Sequence, residues 1–359
     1  MKIAKLVFKK SNLRLAQSFS YADCSLAALP YALVIVETDN NIRGLGEAAL
    51  APEITVETQK SALGFHNLVQ PLLLGQKINN LEDIARLMER VNKQACANSA
   101  AKSGLEMALM DALGKFHKKP VYRLFGRRQQ KKSVEPQTVL SFEEQTPENL
   151  LYYCQRLSRP NSANLKLKVA DDFLKKLAWM KKIFLAHPRV KIVLDVNQGW
   201  SSPQEALRII KQLSDLNVRW IEQPVRCQDY AGLANIKKAG KIPIMADESC
   251  HNLLDLKNLH RIDAVDMINI KLAKTGGILE ALRMVVFCEK HGLKYMLGDM
   301  INSAIGNAAN LHTALLGNFA AYDLTFPSRL KKNLATGIII KGRNFFVPQK
   351  PGLGIILNT

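Results

Sequence analysis

The stretch that decides the fold is NLKLKV (164–169), KIVLDVN (191–197), VRWIEQP (218–224), IPIMADES (242–249) and MINIKLAKTGG (267–277). Each segment is a short apolar run whose strand ends at a charge: Lys168, Asp195, Glu222, Asp247 and Lys271. These charges follow one another after 27, 27, 25 and 24 residues. One strand with its return helix takes about this length, and a barrel of such units brings every strand end to a single mouth. Three carboxylates and two lysines are therefore expected to converge there.

Working outward, strands are expected at 136–141, 164–168, 191–196, 218–222, 243–247, 266–271, 294–298 and near 319–323. Amphipathic helices fill the gaps, for example 203–216 after Ser202-Pro203 and 277–291 after Gly276-Gly277. The fold class is α/β, a (β/α) barrel of the TIM type over residues 126–325. Residues 1–125 read differently, as an α+β capping domain. Strands at 31–37 and 42–48 flank the polar turn Asp39-Asn40-Asn41, which favours an antiparallel hairpin after a first strand at 3–9. In SGLEMALMDALGKFH (103–117), Leu105, Leu109, Ala112, Leu113 and Phe116 recur at helical spacing and predict one buried stripe. The tail, 326–359, carries a strand pair around KGRN (341–344) and is expected to fold back onto the capping domain.

Bulk properties exclude several classes. The 359 residues are 47% apolar, enough for a large core. The longest apolar run, Leu26–Val36, is broken by Pro30 and is too short for a membrane span, which needs about 20 residues. The opening MKIAKLVFKKSN lacks the apolar core of a signal peptide, so a soluble cytoplasmic protein is expected. Six cysteines are scattered with no Cys-x-x-Cys pair, which suits a reducing compartment. The net charge of +19 would attract anions, but the lysines and arginines are dispersed in short doublets such as Lys9-Lys10 and Lys331-Lys332. Neither a nucleic-acid nor a membrane partner is expected, since no basic, aromatic-interleaved patch emerges. A small-molecule partner is expected, and association into a homo-oligomer is compatible with such a barrel.

Strand alternation puts Lys166 and Lys168 on one face. Their repulsion should lower both pKa values and make a neutral amine accessible near pH 7. Asp195, Glu222 and Asp247 offer only oxygen from successive strand ends, a donor set that suits Mg²⁺. Lys271 follows one strand after the last acid and should approach from the side opposite Lys168. A base on each side of a carbon beside a carboxylate can take a proton from one face and return it to the other, with Mg²⁺ stabilising the enediolate between the steps.

These motifs, together with GLGEAALAPEITVET (44–58) and KPGLGII (350–356), resemble the enolase superfamily in its muconate-lactonizing branch, closest to the dipeptide epimerases of the L-Ala-D/L-Glu type. The resemblance implies Lys168 and Lys271 as acid/base catalysts and Asp195, Glu222 and Asp247 as Mg²⁺ ligands. It implies that Lys166 contacts the substrate carboxylate and that Asn197 and Glu248 support the ligands. Thr138, Asp299 and Ile301 match positions that touch substrate. The implied activity is Mg²⁺-dependent epimerisation of a dipeptide or an N-acyl amino acid at its α-carbon. A cycloisomerase, a lyase of the o-succinylbenzoate synthase type, or a catalytically impaired relative would share the same core. The chain also departs from the pattern. An Asp-x-Asp pair that grips the substrate ammonium is represented by Asp323 and Thr325, and Asp299 stands where the position is usually uncharged and can compensate. Cys24 replaces an arginine, Val56 a glycine and Asn302 a common glutamate. Ala-Glu is thus not the expected substrate.

Overall fold

In the computed structural model, which describes residues 1–21, 24–126, 131–141, 145–159, 162–169 and 173–358, the chain opens with a three-stranded antiparallel sheet. Its strands are β1 (Ile3–Tyr21), β2 (Cys24–Thr38) and β3 (Arg43–Ala49). The turn at 39–41 joins β2 to β3 as expected, with Tyr31 opposite Ala49 and Glu37 opposite Arg43. β1 and β2 run well beyond the strands at 3–9 and 31–37. Their extension carries Leu13, Leu15 and Leu29, which pack with Tyr31, Ala49 and Leu330 as a small separate core. The extension has no strong local signal because its partner lies in the tail, where Leu330 bridges to Leu15.

Helices α1 (Gln59–Leu73), α2 (Leu81–Gln94) and α3 (Ser99–Phe116) follow. Thr58 and Ser61 form a reciprocal capping box on α1, and Asn80 caps α2. The expectation of one buried stripe on α3 is corrected: every residue from Ala100 to Gly114 is buried, while Phe116 is exposed. The helix lies between β3 and the barrel, so it has no solvent face. β3 approaches it closely enough that a Cβ at Gly46 would lie 1.9 Å from the Gly104 carbonyl oxygen.

Seven parallel strands form the barrel sheet in chain order: β4 (Thr138–Ser141), β5 (Leu165–Lys168), β6 (Ile192–Asp195), β7 (Val218–Glu222), β8 (Ile244–Ala246), β9 (Met267–Lys271) and β10 (Lys294–Gly298). The eighth stave, expected near 319–323, is a single parallel bridge from Tyr322 to Leu297. It closes the ring: Asp323 N donates to Leu297 O at 2.8 Å, and Gln137 N, just before β4, donates to Tyr322 O at 2.8 Å. Outer helices follow the strands: α4 (Pro147–Leu157), α5 (Phe173–Ala186), α6 (Pro203–Gln212), α7 (Tyr230–Ala239), α8 (Leu253–Arg261), α9 (Ile278–His291) and α10 (Ala304–Ala314). α6 ends at Gln212, short of the expected 216.

Alternation along the strands sorts the barrel interior into layers. Val193, Trp220, Met245, Met267, Met296 and Ala321 form an apolar cluster of their own. Two residues further along, the same inward alternation delivers Asp195 on β6, Glu222 on β7 and Asp247 directly after β8. The charged layer therefore rests on an apolar plug. In the tail, strands Ile339–Lys341 and Asn344–Phe346 pair with each other and the second pairs with Ser133–Val134, while Gly352 bridges to Pro120. Among the described residues, no helix is long and apolar enough to cross a membrane.

Candidate active site

Register alone brings the charges together. Lys168 on β5 stands opposite Asp195 on β6, which stands opposite Glu222 on β7. Lys166 Nζ is buried, 3.0 Å from Asp195 Oδ2, 2.9 Å from Glu222 Oε2 and 2.9 Å from Asp323 Oδ2. Lys168 Nζ donates to Asp195 Oδ2 at 2.9 Å and to Asn197 Oδ1 at 3.0 Å. On the far side of the acids, Lys271 Nζ donates to Asp247 Oδ2 at 2.6 Å. Lys168 and Lys271 thus flank the three carboxylates from opposite ends of the row of staves.

The electrostatics correct one expectation. Burial works to lower the Lys166 pKa, but Asp195, Asp323 and Glu222 outweigh it and hold it well above the ordinary value. Lys271 is raised too, with burial overcome by Asp247 and Glu222. Repulsion between neighbouring lysines does not decide these groups because each has carboxylates closer at hand. For Asp247, burial is overcome by Lys271 and Lys274, which hold its carboxyl far below the usual range. Glu222, with burial and Asp195 acting together, is pushed up to about 8.

The acids suit a hard divalent cation. Asp195 Oδ1 and Glu222 Oε2 are buried and, among the described residues, have no hydrogen-bond partner; Lys166 is near Glu222 Oε2 as an ion pair but is not aligned as a donor. Among the described residues, no three Asp, Glu, His or Cys side chains are already gathered as a ligand cage, because the ammonium groups of Lys166, Lys271 and Lys274 stand among them. Oxygen-only donors from three consecutive stave ends, two with bare oxygens, match the preference of Mg²⁺.

A cavity of about 740 Å³ opens above this layer. Lys166, Lys168 and Lys271 line it, as do Thr138, Asp299, Ile301, Asp323 and Thr325, so every residue expected to touch substrate is present. The metal-ligand candidates lie beneath the lysines and are not part of the cavity wall. The capping domain contributes Leu29, Pro30, Leu50 and Ile54. Thr138 Oγ1 is buried with no hydrogen-bond partner among the described residues. Ile301 has φ +58°, a left-handed conformation that a β-branched residue rarely adopts. Tyr31 Oη, on β2, donates to its carbonyl and ties this loop to the cap. Asn197 donates to Glu248 at 3.2 Å, and Asn302 donates to Glu47 of the cap at 2.8 Å. The side chain of Cys24 lies outside the described residues.

Two residues escaped the sequence reading. Lys274 Nζ donates to Asp247 Oδ1 at 2.5 Å, and Asn269 Nδ2 donates to Glu222 Oε1 at 2.8 Å. Asn269 could have been found, since it lies two residues before Lys271 and faces the same way. Lys274 follows β9 in a one-turn helix, Leu272–Thr275, and strand periodicity does not reach it.

Two family descriptions match the chain: the mandelate racemase / muconate lactonizing enzyme N-terminal domain over residues 4–126, and the enolase C-terminal domain-like family over residues 154–359. The chain belongs to the mandelate racemase/muconate lactonizing enzyme family of enolase-like proteins. It is 30% identical to the N-succinyl-L-Arg/Lys racemase of Bacillus cereus, over 100% of this chain and 96% of that one. It is 31% identical to the L-Ala-D/L-Glu epimerase of Bacillus subtilis, over 99% and 97%. The dipeptide epimerase of Enterococcus faecalis, solved with Mg and L-Leu-L-Tyr, superposes with a TM-score of 0.89 at 30% identity, covering 99% of both chains.

Proposed function

We propose that the chain is a Mg²⁺-dependent epimerase that inverts the α-carbon of a dipeptide by two-base proton transfer. The observation that carries this reading is the placement of Lys168 and Lys271 on either side of the three acids, both facing one cavity. Asp195, Glu222 and Asp247 would hold the cation. When bound, Mg²⁺ would stabilise negative charge developing on the substrate carboxylate. Lys168 and Lys271 would remove and return the α-proton on opposite faces. Lys166 would orient the substrate carboxylate from the cavity wall. The apolar cap residues Leu29, Pro30, Leu50 and Ile54 favour an apolar substrate side chain over glutamate, and Thr138 and Ile301 complete the wall. Residues 1–125 would serve as the cap, 126–325 as the catalytic barrel, and 326–359 as the segment completing the cap.

Proton exchange tests the reading directly. In D₂O with Mg²⁺, deuterium should enter the α-carbon of an apolar dipeptide. Lys168→Ala and Lys271→Ala should each slow epimerisation by about 10²–10⁴-fold. Unchanged exchange in either variant would refute the two-base assignment. A second reading, racemisation of N-acyl amino acids, is favoured by the B. cereus relative and by Arg329 and Arg343 in the cavity wall. A cycloisomerase or lyase would share the acid–lysine core, and screening dipeptides beside their substrates separates the classes. We take the enzyme to act in the cytoplasm on small molecules, without nucleic-acid or membrane partners and in a state that can include a homo-oligomer. The dispersed basic residues support this.

A further inference from the structure

A second cavity, of about 440 Å³, lies between the cap and the barrel and shares no wall residue with the catalytic one. Helices α2 and α3 wall it on the cap side, and the loop Lys274–Gly276 with α9 on the barrel side. Several charges on its wall are already answered. Lys274 is held by Asp247, Glu280 by Arg283 at 3.2 Å and Glu89 by Lys93 at 3.0 Å. Among the described residues, two are not. Lys102 is only 7% exposed, yet its side chain makes no hydrogen bond and no ion pair there. Glu106 is 3% exposed; its Oε1 accepts from Ile278 N and Leu279 N, and its Oε2 accepts nothing among the described residues. Glu57, which could have answered Lys102, is turned instead onto Ala100 N and Ala101 N at the start of α3. Burial lowers the pKa of Lys102 and raises that of Glu106 to about 7, as it does for charges without a counter-ion. The two stand four residues apart on α3, so they face one side of the helix a turn apart. They form no ion pair with each other, and the apolar side chains of Met88 and Leu279 share the same wall.

We infer that this cavity is a second binding site, built for a small zwitterion: a free α-amino acid with an apolar side chain. Its carboxylate meets Lys102, its ammonium meets Glu106 Oε2, and its side chain lies against Met88 and Leu279. An α-amino acid carries both charges on one carbon, so a single small molecule answers both groups. A ligand with one of the two charges leaves the other protein group buried without a partner, which costs affinity. Cys96 is exposed at the cavity wall and marks the way in. Because cap and barrel both contribute to the wall, an occupied site holds the two together.

Calorimetry and thermal shift with L-leucine, in the presence of Mg²⁺, test this. The wild type should bind L-leucine saturably and melt at a higher temperature as the ligand is added. N-acetyl-L-leucine lacks the ammonium and L-leucinamide lacks the carboxylate; each should bind at least about tenfold more weakly. Lys102→Met and Glu106→Gln should each weaken L-leucine binding by at least about tenfold. Without ligand, Lys102→Met should melt no lower than the wild type, because it removes a buried charge that nothing answers. The ligand series on the wild type decides the matter even where a variant does not fold. No saturable binding of L-leucine would overturn the inference, as would equal binding of either blocked form. Unchanged affinity in both variants would place the amino acid in the catalytic cavity and overturn it too. A lower melting temperature for unliganded Lys102→Met would show that the folded protein already answers this lysine, with the same consequence. None of these readouts uses turnover, so they stand apart from the reaction.

Discussion

Lys166 shows most directly how the site is held together. Its ammonium is buried with Asp195, Glu222 and Asp323 around it. Removing one member of such a cluster strands the rest, at a cost of about 3–5 kcal/mol. Lys166→Met should therefore lower the melting temperature sharply in EDTA. Saturating Mg²⁺ should restore more of the loss than it adds to the wild type, because both cations answer the same carboxylates. Melting curves with and without Mg²⁺ decide it: an identical drop in both conditions would count against a shared role. The positions of Lys166, Lys168, Asp195, Glu222, Asp247 and Lys271 were legible from strand spacing. The raised pKa values of Lys166 and Lys271 were not, because they depend on distances across the barrel that no single strand encodes.

At the scale of elements, the cap depends on two unusual backbone positions. Gly46 lets β3 lie against α3, and a methyl there would collide with the Gly104 carbonyl. Rigid backbone on both sides leaves no room to adjust. We expect Gly46→Ala to cost more than about 3 kcal/mol or to prevent folding, read from expression and denaturant melts. Val56 ends the short helix Pro52–Thr55 in a left-handed conformation, φ +58°, with 84% of its surface exposed. That conformation costs an L-residue about 1–2 kcal/mol, and the greater freedom of glycine in the unfolded chain returns about 0.4–1 kcal/mol. Val56→Gly should therefore raise stability modestly, by up to about 1 kcal/mol; a fall in melting temperature would show that the exposed side chain has a packing role. The hairpin of β2 and β3 was legible from its turn residues. The extension of β1, and the all-round burial of α3, were not, because both depend on partners far away in the chain.

For the whole molecule, buried cap carboxylates bind the other parts together. Glu47 on β3 accepts from Asn302 Nδ2, Ser303 N and Ser303 Oγ of the barrel. Glu106 on α3 accepts from Ile278 N and Leu279 N at the start of α9. Asp111, also on α3, accepts from Leu353 N of the tail at 2.7 Å. Burial raises the pKa of all three, with Glu106 pushed up to about 7. A folded pKa above the unfolded one means that the folded state holds more protons. The stability that Glu106 contributes is full below its ordinary value of 4.5 and is lost as pH rises through about 7. For a shift of this size the change is about 3 kcal/mol. Glu106→Gln keeps a carbonyl oxygen for the two backbone donors but cannot ionise. Its stability should be flatter than that of the wild type between about pH 4.5 and pH 7, the interval of this shift. Urea melts across that range check this, and parallel curves would show that Glu106 does not titrate there.

Sequence alone determined the barrel, its charged rim and the identity of the two flanking lysines, because strand alternation and a repeat of 24 to 27 residues are local properties that survive without a partner. Tertiary structure decided what those residues face. Asp323 reaches Lys166 only because the ring closes through one bridge at Tyr322, and Glu106 reaches α9 only because the cap packs onto the barrel. Contacts between segments distant in the chain are set by how the whole core packs, and no local pattern records them.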